Sequence, residues 1–459
     1  MKIRSLDAHS EKSANLFSDI LAVAELDRSR HNPGMTSASH ITLLLQIDND
    51  LLLEQVCVDA KLDAGQWRLP IADAADELIA PSAVFCGVDL NIAAGLTAWL
   101  EPRGLSTSDI QSCGALGHHK SPPWHPARQA TMLVHARLAH RPQAINGDVW
   151  RWASATDWLH AWQHDALLLN PFTQLLLDAQ LTERTVAWEH TSMEQALSDL
   201  RVLPVRSRTL PPATHTNAFM LGDQTSGSPT VLVDPSPADE HAFEDLLERL
   251  ATQHIDALFL THHHPDHHQQ APRLAQHFNC PILCSADTRE RIPARFGSDY
   301  WSDIEVRTVG DGASITTWKN QPVHAHAVPG HDAGQLALMP EGRQWMIVGD
   351  LIQGVGTVVI AEPEGDMAAY FRTLQWVIDQ NPAVIIPSHG QAMGTTFRIA
   401  ETLRHRKQRE EQVLTLHREG HAAPEMVEII YANVHKRLWG LARMNIDCHL
   451  KKLRDEGRL

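Results

Sequence analysis

The length, composition and charge of this chain exclude several classes of protein. Its 459 residues are too many for one hydrophobic core and predict roughly two to four domains. No apolar run approaches the ~20 residues of a membrane span. The net charge of −16 argues against a protein that coats nucleic acid with its whole surface.

The amino terminus and the cysteines indicate where the protein resides. Asp19 and Glu25 interrupt the apolar stretch 16–26, so we expect no signal peptide. Residues 1–36 are interpreted as a leader, either a short helix or a disordered segment. The six scattered cysteines form no CxxC pair, which argues against a disulfide scaffold. We therefore expect a cytoplasmic protein without membrane association.

Residues 37–181 form the first predicted domain. Apolar stretches at 41–47 and 51–58 flank the turn residues 48–50, which predicts a β-hairpin. A β-rich stretch follows at 132–138, and Asn170-Pro171 opens a helix. This layout resembles a Nudix-type α/β/α domain, with an unrelated α/β domain as the alternative. The boundary to the next domain is predicted between 182 and 210, where Pro, Arg and Ser become frequent.

The segment aligned with the Nudix catalytic box departs from that family. It reads Thr97-Ala98-Trp99-Leu100-Glu101-Pro102-Arg103-Gly104-Leu105. Of the three key glutamates that the resemblance implies, only Glu101 is present, and Mg²⁺ on a pyrophosphate needs several carboxylate oxygens. We therefore interpret this domain as non-catalytic. Trp67 or Trp99 either stacks on a bound base or acyl group or belongs to the core.

The segment from Thr261 to His268 contains five histidines and one aspartate. It follows an apolar run at 255–260 and precedes helical spacing at 271–278, so it is predicted on a loop from a strand to a helix. In an extended loop His262 and His264 point the same way, while the turn at Pro265-Asp266-His267 aims a second pair elsewhere. This arrangement suits two metal ions. The alternative, a solvated polyhistidine tract, would lack the interposed aspartate and the preceding strand.

The pattern His-x-His-x-Asp-His resembles the signature of the metallo-β-lactamase superfamily, and three later segments match its further blocks. They are Val328-Pro329-Gly330-His331, Ile347-Val348-Gly349-Asp350 and Ile385-Ile386-Pro387-Ser388-His389-Gly390. Each follows a short β-branched run, which predicts a position at the carboxyl end of a strand. Two departures are Gln269-Gln270, where small residues usually follow the first block, and Gln335, where relatives often carry another polar residue.

The resemblance implies an α/β fold, an αββα sandwich over residues 200–400, with two metal ions. One ion would be held by His262, His264 and His331, and the other by Asp266, His267 and His389. Asp350 would bridge the two. The family pattern gives His263 and His268 no ligand role.

The carboxyl-terminal residues 401–459 contain helical patterns at 397–418, 423–433 and 437–456. They resemble the winged-helix domain that one branch of this superfamily carries, although the sequence ends at Leu459 before a full wing. From Arg404 onward there are 12 Lys and Arg against 8 Asp and Glu. The helix that carries Arg443, Lys451, Lys452 and Arg454 is predicted either to face a phosphate backbone or to be a solvated surface.

The resemblance implies a dinuclear hydrolase in which a hydroxide that bridges two Zn²⁺ ions, or Mn²⁺ or Fe, attacks a thioester, ester or phosphodiester. Asp266 would be the catalytic residue that orients the hydroxide and accepts its proton. A site charge of about +1 favours a small anionic or acyl substrate. Asp350 stands where the lactam-hydrolysing branch tends to carry Cys, which disfavours antibiotic hydrolysis. The alternatives are an endoribonuclease that holds RNA through its basic tail and a ligand-sensing regulatory protein.

Overall fold

The computed structural model describes residues 38–459, apart from 62, 79–83, 86–87, 90–95, 126–129, 142–148, 183, 185, 187, 192, 223–226 and 355. The predicted leader 1–36 lies outside the described residues. The chain divides into two compact units between Val202 and Leu203, inside the stretch where the sequence predicts a boundary. Among the described helices, none combines the length and apolarity needed to cross a membrane.

The amino-terminal unit is built on a mixed seven-stranded sheet. Its central strand Ala38–Ile47 pairs in parallel with Ala130–Leu138 and antiparallel with Asp50–Gln55. The predicted hairpin at 41–58 is confirmed, since Gln46 lies opposite Leu51. The strands of this unit are Ala38–Ile47, Asp50–Gln55, Trp67–Arg68, Ile71–Leu78, Val84–Phe85, Val88–Asp89, Ile110–Lys120, Ala130–Leu138, Trp150–Ser154 and Glu194–Leu197.

Helices cover this sheet and close its core. The described helices are Ala155–Gln163 and Pro171–Thr182, with residues 96–100 also helical and short 3₁₀ turns at Glu101–Arg103, Thr107–Asp109 and Trp188–His190. Ser154 caps the first by accepting a hydrogen bond from Asp157 N, which satisfies an otherwise unpaired amide. Trp67 and Trp99 are each only 6% exposed. Both belong to apolar clusters of the unit, so the core alternative holds for both and the stacking role does not.

The second unit contains two sheets. Strand Leu200–Arg206 leads into it from the first unit, and the sheet continues through His215–Leu221, Val231–Val233, Ala257–Phe259, Ile282–Cys284 and Val306–Thr308. The last four of these strands are parallel. The other sheet has six strands, in order Ser314–Trp318, Gln321–Ala327, Leu336–Pro340, Trp345–Ile347, Val384–Ile386 and Met393–Gly394. Strand Ser314–Trp318 contacts His215–Leu221 of the first sheet, so the two sheets pack against each other as the sequence predicts.

Five helices connect these strands, and three more form the carboxyl-terminal part of the same unit. They are Glu240–Leu250, Pro265–His268, Ala271–Phe278, Ala286–Phe296, Met367–Gln380, Phe397–Arg418, Ala423–Ile430 and Trp439–Asp455. The helical spacing predicted at 271–278 is confirmed by helix Ala271–Phe278. Gln270, whose φ is +62°, separates this helix from Pro265–His268. That left-handed conformation cannot continue a helix and suits the small residues that are usual at this position.

Candidate metal centre

The seven predicted ligands come from four loops that each follow a strand. The first loop follows Ala257–Phe259 and carries His262 to His267, while the others follow Gln321–Ala327, Trp345–Ile347 and Val384–Ile386. Strands Trp345–Ile347 and Val384–Ile386 are parallel neighbours, so their carboxyl ends place Asp350 and His389 at the same edge. The strand-end prediction is confirmed, and the structure brings all seven side chains together.

The first group consists of three histidines. The Nε2 atom of His262 lies 2.9 Å from Nδ1 of His264, and Nε2 of His331 lies 3.0 Å from the same atom. A tetrahedral Zn²⁺ with bonds of about 2.0–2.1 Å would separate its ligand nitrogens by roughly 3.3 Å. The three nitrogens therefore need to open by only a few tenths of an ångström to hold such an ion.

Neighbouring acceptors fix which nitrogen of His262 and His331 carries a proton. His331 Nδ1 lies 3.0 Å from the carbonyl oxygen of Val359, which can only accept. Thr261 Oγ1 donates to Asp234 Oδ2 at 2.6 Å, so it accepts from His262 Nδ1 at 3.0 Å. In both histidines the proton is on Nδ1, and the lone pair of Nε2 faces the site.

The second group combines two histidines with carboxylates. His267 Nδ1 lies 2.8 Å from Asp234 Oδ2, and His389 Nδ1 donates to the carbonyl oxygen of His215 at 2.9 Å. Their Nε2 atoms face Asp266, with separations of 3.8 Å from His267 to Oδ1 and 3.4 Å from His389 to Oδ2. The tautomer of each ring is thus set from outside the site.

Asp350 lies between the two groups. Its Oδ1 is 3.3 Å from His389 Nε2, and its Oδ2 is 3.9 Å from His331 Nε2. Asp350 Oδ1 and His267 Nε2 are buried without a well-formed hydrogen bond among the described residues. Buried polar atoms rarely lack a partner. Two buried polar atoms that face one another without a hydrogen bond fit a cation between them.

The electrostatics of the two groups differ. Burial holds the pKa of His262 well below its usual value, and burial together with His264 lowers the pKa of His331 to about 4. Burial also opposes the charge on His389, but the carboxylates of Asp350 and Asp266 outweigh it and raise its pKa to about 10. The first group therefore favours neutral ligands, whereas the second must release protons when it accepts a cation.

Several residues at the site were missed by sequence reasoning. Asp234, fully buried, bonds both Thr261 and His267, and its position directly after strand Val231–Val233 is the same signal that identified the ligands. His263, predicted only as a neighbour, lies 2.5 Å from Asp332 and 3.1 Å from Glu364. No local pattern marks Glu364, which is about 100 residues away in sequence.

His268 is the other neighbour without a predicted ligand role. Its Nδ1 lies 2.6 Å from the hydroxyl of Tyr300, which donates to the carbonyl oxygen of His268 at 3.0 Å. The ring is almost fully buried, and burial lowers its pKa to about 3. His268 therefore fixes the loop rather than contributing to the ligand set.

The basic residues of the last helix are mostly paired. Arg443 contacts Asp447 at 2.9 Å and Lys451 contacts Asp455 at 2.7 Å. Lys452 is buried and bonds Glu410 at 2.9 Å and Glu456 at 2.8 Å. Three of the four cations predicted to face a phosphate backbone are thus occupied, which favours the alternative of a solvated, self-paired surface.

A small pocket lies within the amino-terminal unit. Its lining includes Asp63, Arg68, Asn170 and Thr173. Asp63 accepts from Asn170 Nδ2 at 3.1 Å and from Arg68 Nη1 at 3.2 Å. Thr173 Oγ1 accepts from Leu69 N at 3.0 Å. These polar groups are bonded to one another, and they hold the fold together around the pocket.

Comparison with known proteins identifies two segments. Residues 211–389 match the family model of the metallo-beta-lactamase superfamily, and residues 422–459 match the beta-lactamase associated winged helix domain. The chain is 29% identical over 264 residues to the beta-lactamase-like protein 2 homolog of Drosophila melanogaster, an alignment that covers 53% of this chain and 84% of that protein. It is 27% identical over 170 residues to a hydroxyacylglutathione hydrolase of Bdellovibrio bacteriovorus, which covers 37% of this chain and 60% of the relative.

A solved structure has the same fold. The beta-lactamase domain protein from Burkholderia ambifaria superimposes with a TM-score of 0.50 at 22% identity and covers 58% of this chain and 88% of its own. Together with the family models, this likeness places the metallo-β-lactamase fold and the winged-helix domain in the second unit. The Nudix-like interpretation of residues 37–181 remains a prediction.

Proposed function

Because residues 211–389 match the family model of the metallo-beta-lactamase superfamily, we propose that the protein is a dinuclear metal-dependent hydrolase of thioesters or related acyl esters. The observation that carries this proposal is the convergence of seven side chains whose ligand atoms face each other. In His262, His267, His331 and His389 the ring nitrogen that points away from the site, Nδ1, already contacts an acceptor of the protein. Such a site is prepared for cations before they bind.

The distances between side chains support the proposed ligand sets. His262, His264 and His331 would hold one ion, and Asp266, His267 and His389 the other, and each set is one of the four groups of the described residues that could hold an ion. Asp350 would contact both, because its two oxygens face different groups. Zn²⁺ suits the nitrogen-rich first group, and Mn²⁺ or Fe²⁺ are alternatives for the oxygen-containing second group.

Divalent ions held by these residues would supply polarisation of the scissile carbonyl and a water of lowered pKa, which is a source of hydroxide near neutral pH. The chain's own residues supply orientation and proton transfer. Asp266 is 14% exposed and its Oδ2 lies 3.4 Å from His389 Nε2. Although burial opposes it, the charges of His267 and His389 hold its pKa below the usual range, so its carboxylate is available to orient the nucleophile and accept a proton.

Charge favours an acyl substrate over a phosphodiester. The value of about +1 for the two ions and their ligands omits Asp234, which is buried against His267 and adds one negative charge. A site near neutrality attracts a phosphodiester weakly, whereas a thioester needs only polarisation of its carbonyl. Similarity to two proteins named hydroxyacylglutathione hydrolase supports the same substrate class.

The RNA alternative has less support, since the cations of the last helix pair with carboxylates of their own domain.

We further propose that residues 37–181 are a Nudix-like module without catalysis. Glu101 lies exposed in a three-residue 3₁₀ turn, and Pro102 follows it. A single exposed carboxylate does not provide the oxygen ligands that Mg²⁺ requires.

The proposal is tested by metal analysis coupled to a substrate screen. We expect close to two ions per chain after purification with Zn²⁺, Mn²⁺ or Fe²⁺ supplied. A hydroxyacyl-glutathione thioester should be hydrolysed faster than a chromogenic phosphodiester or a single-stranded RNA. Fewer than one ion per chain would refute the metal site, and faster cleavage of RNA would refute the substrate class.

A further inference from the structure

Glu364 contacts two consecutive histidines of the metal-binding loop. Its Oε2 lies 3.4 Å from His264 Nε2, and its Oε1 lies 3.1 Å from His263 Nε2. The side chain is 29% exposed and lies outside the seven predicted ligands. Glu364 therefore contacts the Nε2 atom of His264, whereas Nδ1 of the same ring faces the site.

His264 differs from the other four histidine ligands in the nitrogen that faces the site. His262, His267, His331 and His389 all have Nδ1 on an acceptor and direct Nε2 inward. His264 directs Nδ1 inward instead. Its Nε2 must then carry the proton, and an ionised carboxylate is the acceptor that stabilises this tautomer.

His264 is also the least enclosed of the five. Its side chain is 21% exposed, whereas the other four are between 0% and 8% exposed. Packing therefore restrains this ring less than the others, and a hydrogen bond has correspondingly more influence on its rotamer. Glu364 occupies the position from which such a bond is made.

The carboxylate of Glu364 is itself held in place by His263. That ring is 2% exposed and its Nδ1 lies 2.5 Å from Asp332 Oδ2. Asp332 is buried and its Oδ1 accepts from Gly334 N at 2.7 Å. His263 lies between two carboxylates, and the contact of its Nε2 with Oε1 of Glu364 leaves Oε2 directed at His264.

The carboxyl-terminal helices hold the segment that leads to Glu364. Asn445, on helix Trp439–Asp455, accepts from Ile360 N at 3.1 Å and from Arg406 Nη1 at 2.8 Å. Arg406, on helix Phe397–Arg418, also donates to the carbonyl oxygen of Val358. The residue between these contacts, Val359, is the acceptor for His331 Nδ1. The segment held by these contacts therefore carries the acceptors for two of the three histidines of the first group. Val359 accepts from His331, and Glu364 contacts His264.

We propose that Glu364 is a positioning residue, which holds His264 in the tautomer and rotamer that present Nδ1 to the first metal ion. The proposal rests on the proposed metal-dependent function. It assigns to the carboxyl-terminal domain a role in the metal site, because that domain anchors the segment on which Glu364 lies.

The test compares Glu364→Gln, Glu364→Asp and the matched control Glu362→Gln in the full chain. Glu362 is exposed and two residues away, so the control makes the same carboxyl-to-amide change outside the contact. Zn²⁺ affinity is measured by competition with a chromogenic chelator, and the ligand field by absorption of the Co²⁺-loaded protein. We expect Glu364→Gln to lower the affinity for one of the two ions by about 10–100-fold. We also expect the absorption spectrum of the Co²⁺-loaded protein to change. The other ion should be unaffected, Glu364→Asp should recover part of the loss, and Glu362→Gln should match the wild type.

Three other outcomes would overturn the proposal. Unchanged affinity and spectrum in Glu364→Gln would show that His264 does not depend on this carboxylate. Equal loss of both ions, with a lower unfolding temperature of the metal-free protein, would show that Glu364 supports the fold only. Failure of the wild-type protein to bind two ions would remove the proposed function and the inference together, and it is recognised before any variant is measured.

Discussion

Two clusters of polar side chains, one in each unit, differ in whether their polar atoms have hydrogen-bond partners. In the amino-terminal unit Asp63, Arg68, Asn170 and Thr173 pair donors with acceptors at 3.0–3.2 Å. In the metal centre, histidine nitrogens and carboxylate oxygens converge, and Asp350 Oδ1 is buried without a hydrogen bond among the described residues. Matched groups stabilise a fold, whereas unmatched acceptors are unfavourable until a cation binds.

The difference explains why buried charge alone is a poor guide to function. Asp63 and Asp350 are similarly enclosed, at 7% and 5% exposure. What separates them is the character of their neighbours. The partners of Asp63 are an amide and a guanidinium with protons to donate. Asp350 accepts one long hydrogen bond from Gln353 Nε2 at its Oδ2, whereas its Oδ1 faces imidazole nitrogens whose other sides are already bonded. The following predictions test that distinction, beginning with the largest effect.

Replacing Asp350 with Ala should have the largest effect. The variant removes the carboxylate that faces both histidine groups, so we expect fewer than one metal ion per chain and a loss of turnover of at least about 10³-fold. Metal analysis and thioester hydrolysis measure the two consequences on one sample. Full metal content with normal turnover would show that neither ion depends on Asp350.

Asp266→Asn should separate catalysis from metal binding. The amide keeps the size of the side chain and can still coordinate through oxygen, but it cannot accept a proton. We expect kcat to fall by roughly 10²–10⁴-fold while KM changes little and most of the metal is retained. A rise in KM at constant kcat would assign Asp266 to substrate binding.

Asn445→Ala should connect the carboxyl-terminal domain to the site. It leaves Ile360 N and one Arg406 donor buried without a partner, at a cost of about 1–3 kcal/mol. We expect turnover of small thioesters to fall by about tenfold, with weaker metal binding. The exposed Arg454, changed to Ala, is the control and should leave both unchanged. If Arg454→Ala lowered activity only on RNA, the nucleic-acid alternative would regain support.

Asn170→Ala should affect the other cluster alone. The Asn170 side chain accepts from Phe172 N and Thr173 N at 3.0 and 3.2 Å and donates to Asp63. Its loss removes a helix cap and leaves Asp63 with one donor fewer, which should destabilise the amino-terminal unit by roughly 1–3 kcal/mol. Denaturant unfolding measures the change. Metal content and turnover should equal those of the wild type, and a drop in either would contradict the independence of the two clusters.

The sequence predicts the strands and the ligand loops of the second unit well, because both depend on local patterns. Apolar runs followed by His or Asp locate His331, Asp350 and His389. The pattern could not locate Glu364, since its role depends on a contact with residues about 100 positions earlier. Nor could it show that Lys452 is buried, because the charge that accommodates it, Glu410, is on another helix.

The smallest predicted effect concerns Glu194, a residue of the amino-terminal unit that lacks such matched contacts. Its Oε1 is buried without a hydrogen bond among the described residues, and burial, with the charge of Asp63, raises its pKa to about 8. Between pH 4.5 and 8 the unfolded chain ionises at this position while the folded chain keeps the proton, so stability falls as pH rises through that range.

The glutamine of the Glu194→Gln variant does not titrate. The variant should match the wild type near pH 4 and be more stable by roughly 1–2 kcal/mol at pH 7.5, as measured by hydrogen exchange in strand Ala130–Leu138. Equal stability at both pH values would show that Glu194 is ionised and solvated. The expected result would show that a proton neutralises this unmatched acceptor, as cations are proposed to do at Asp350.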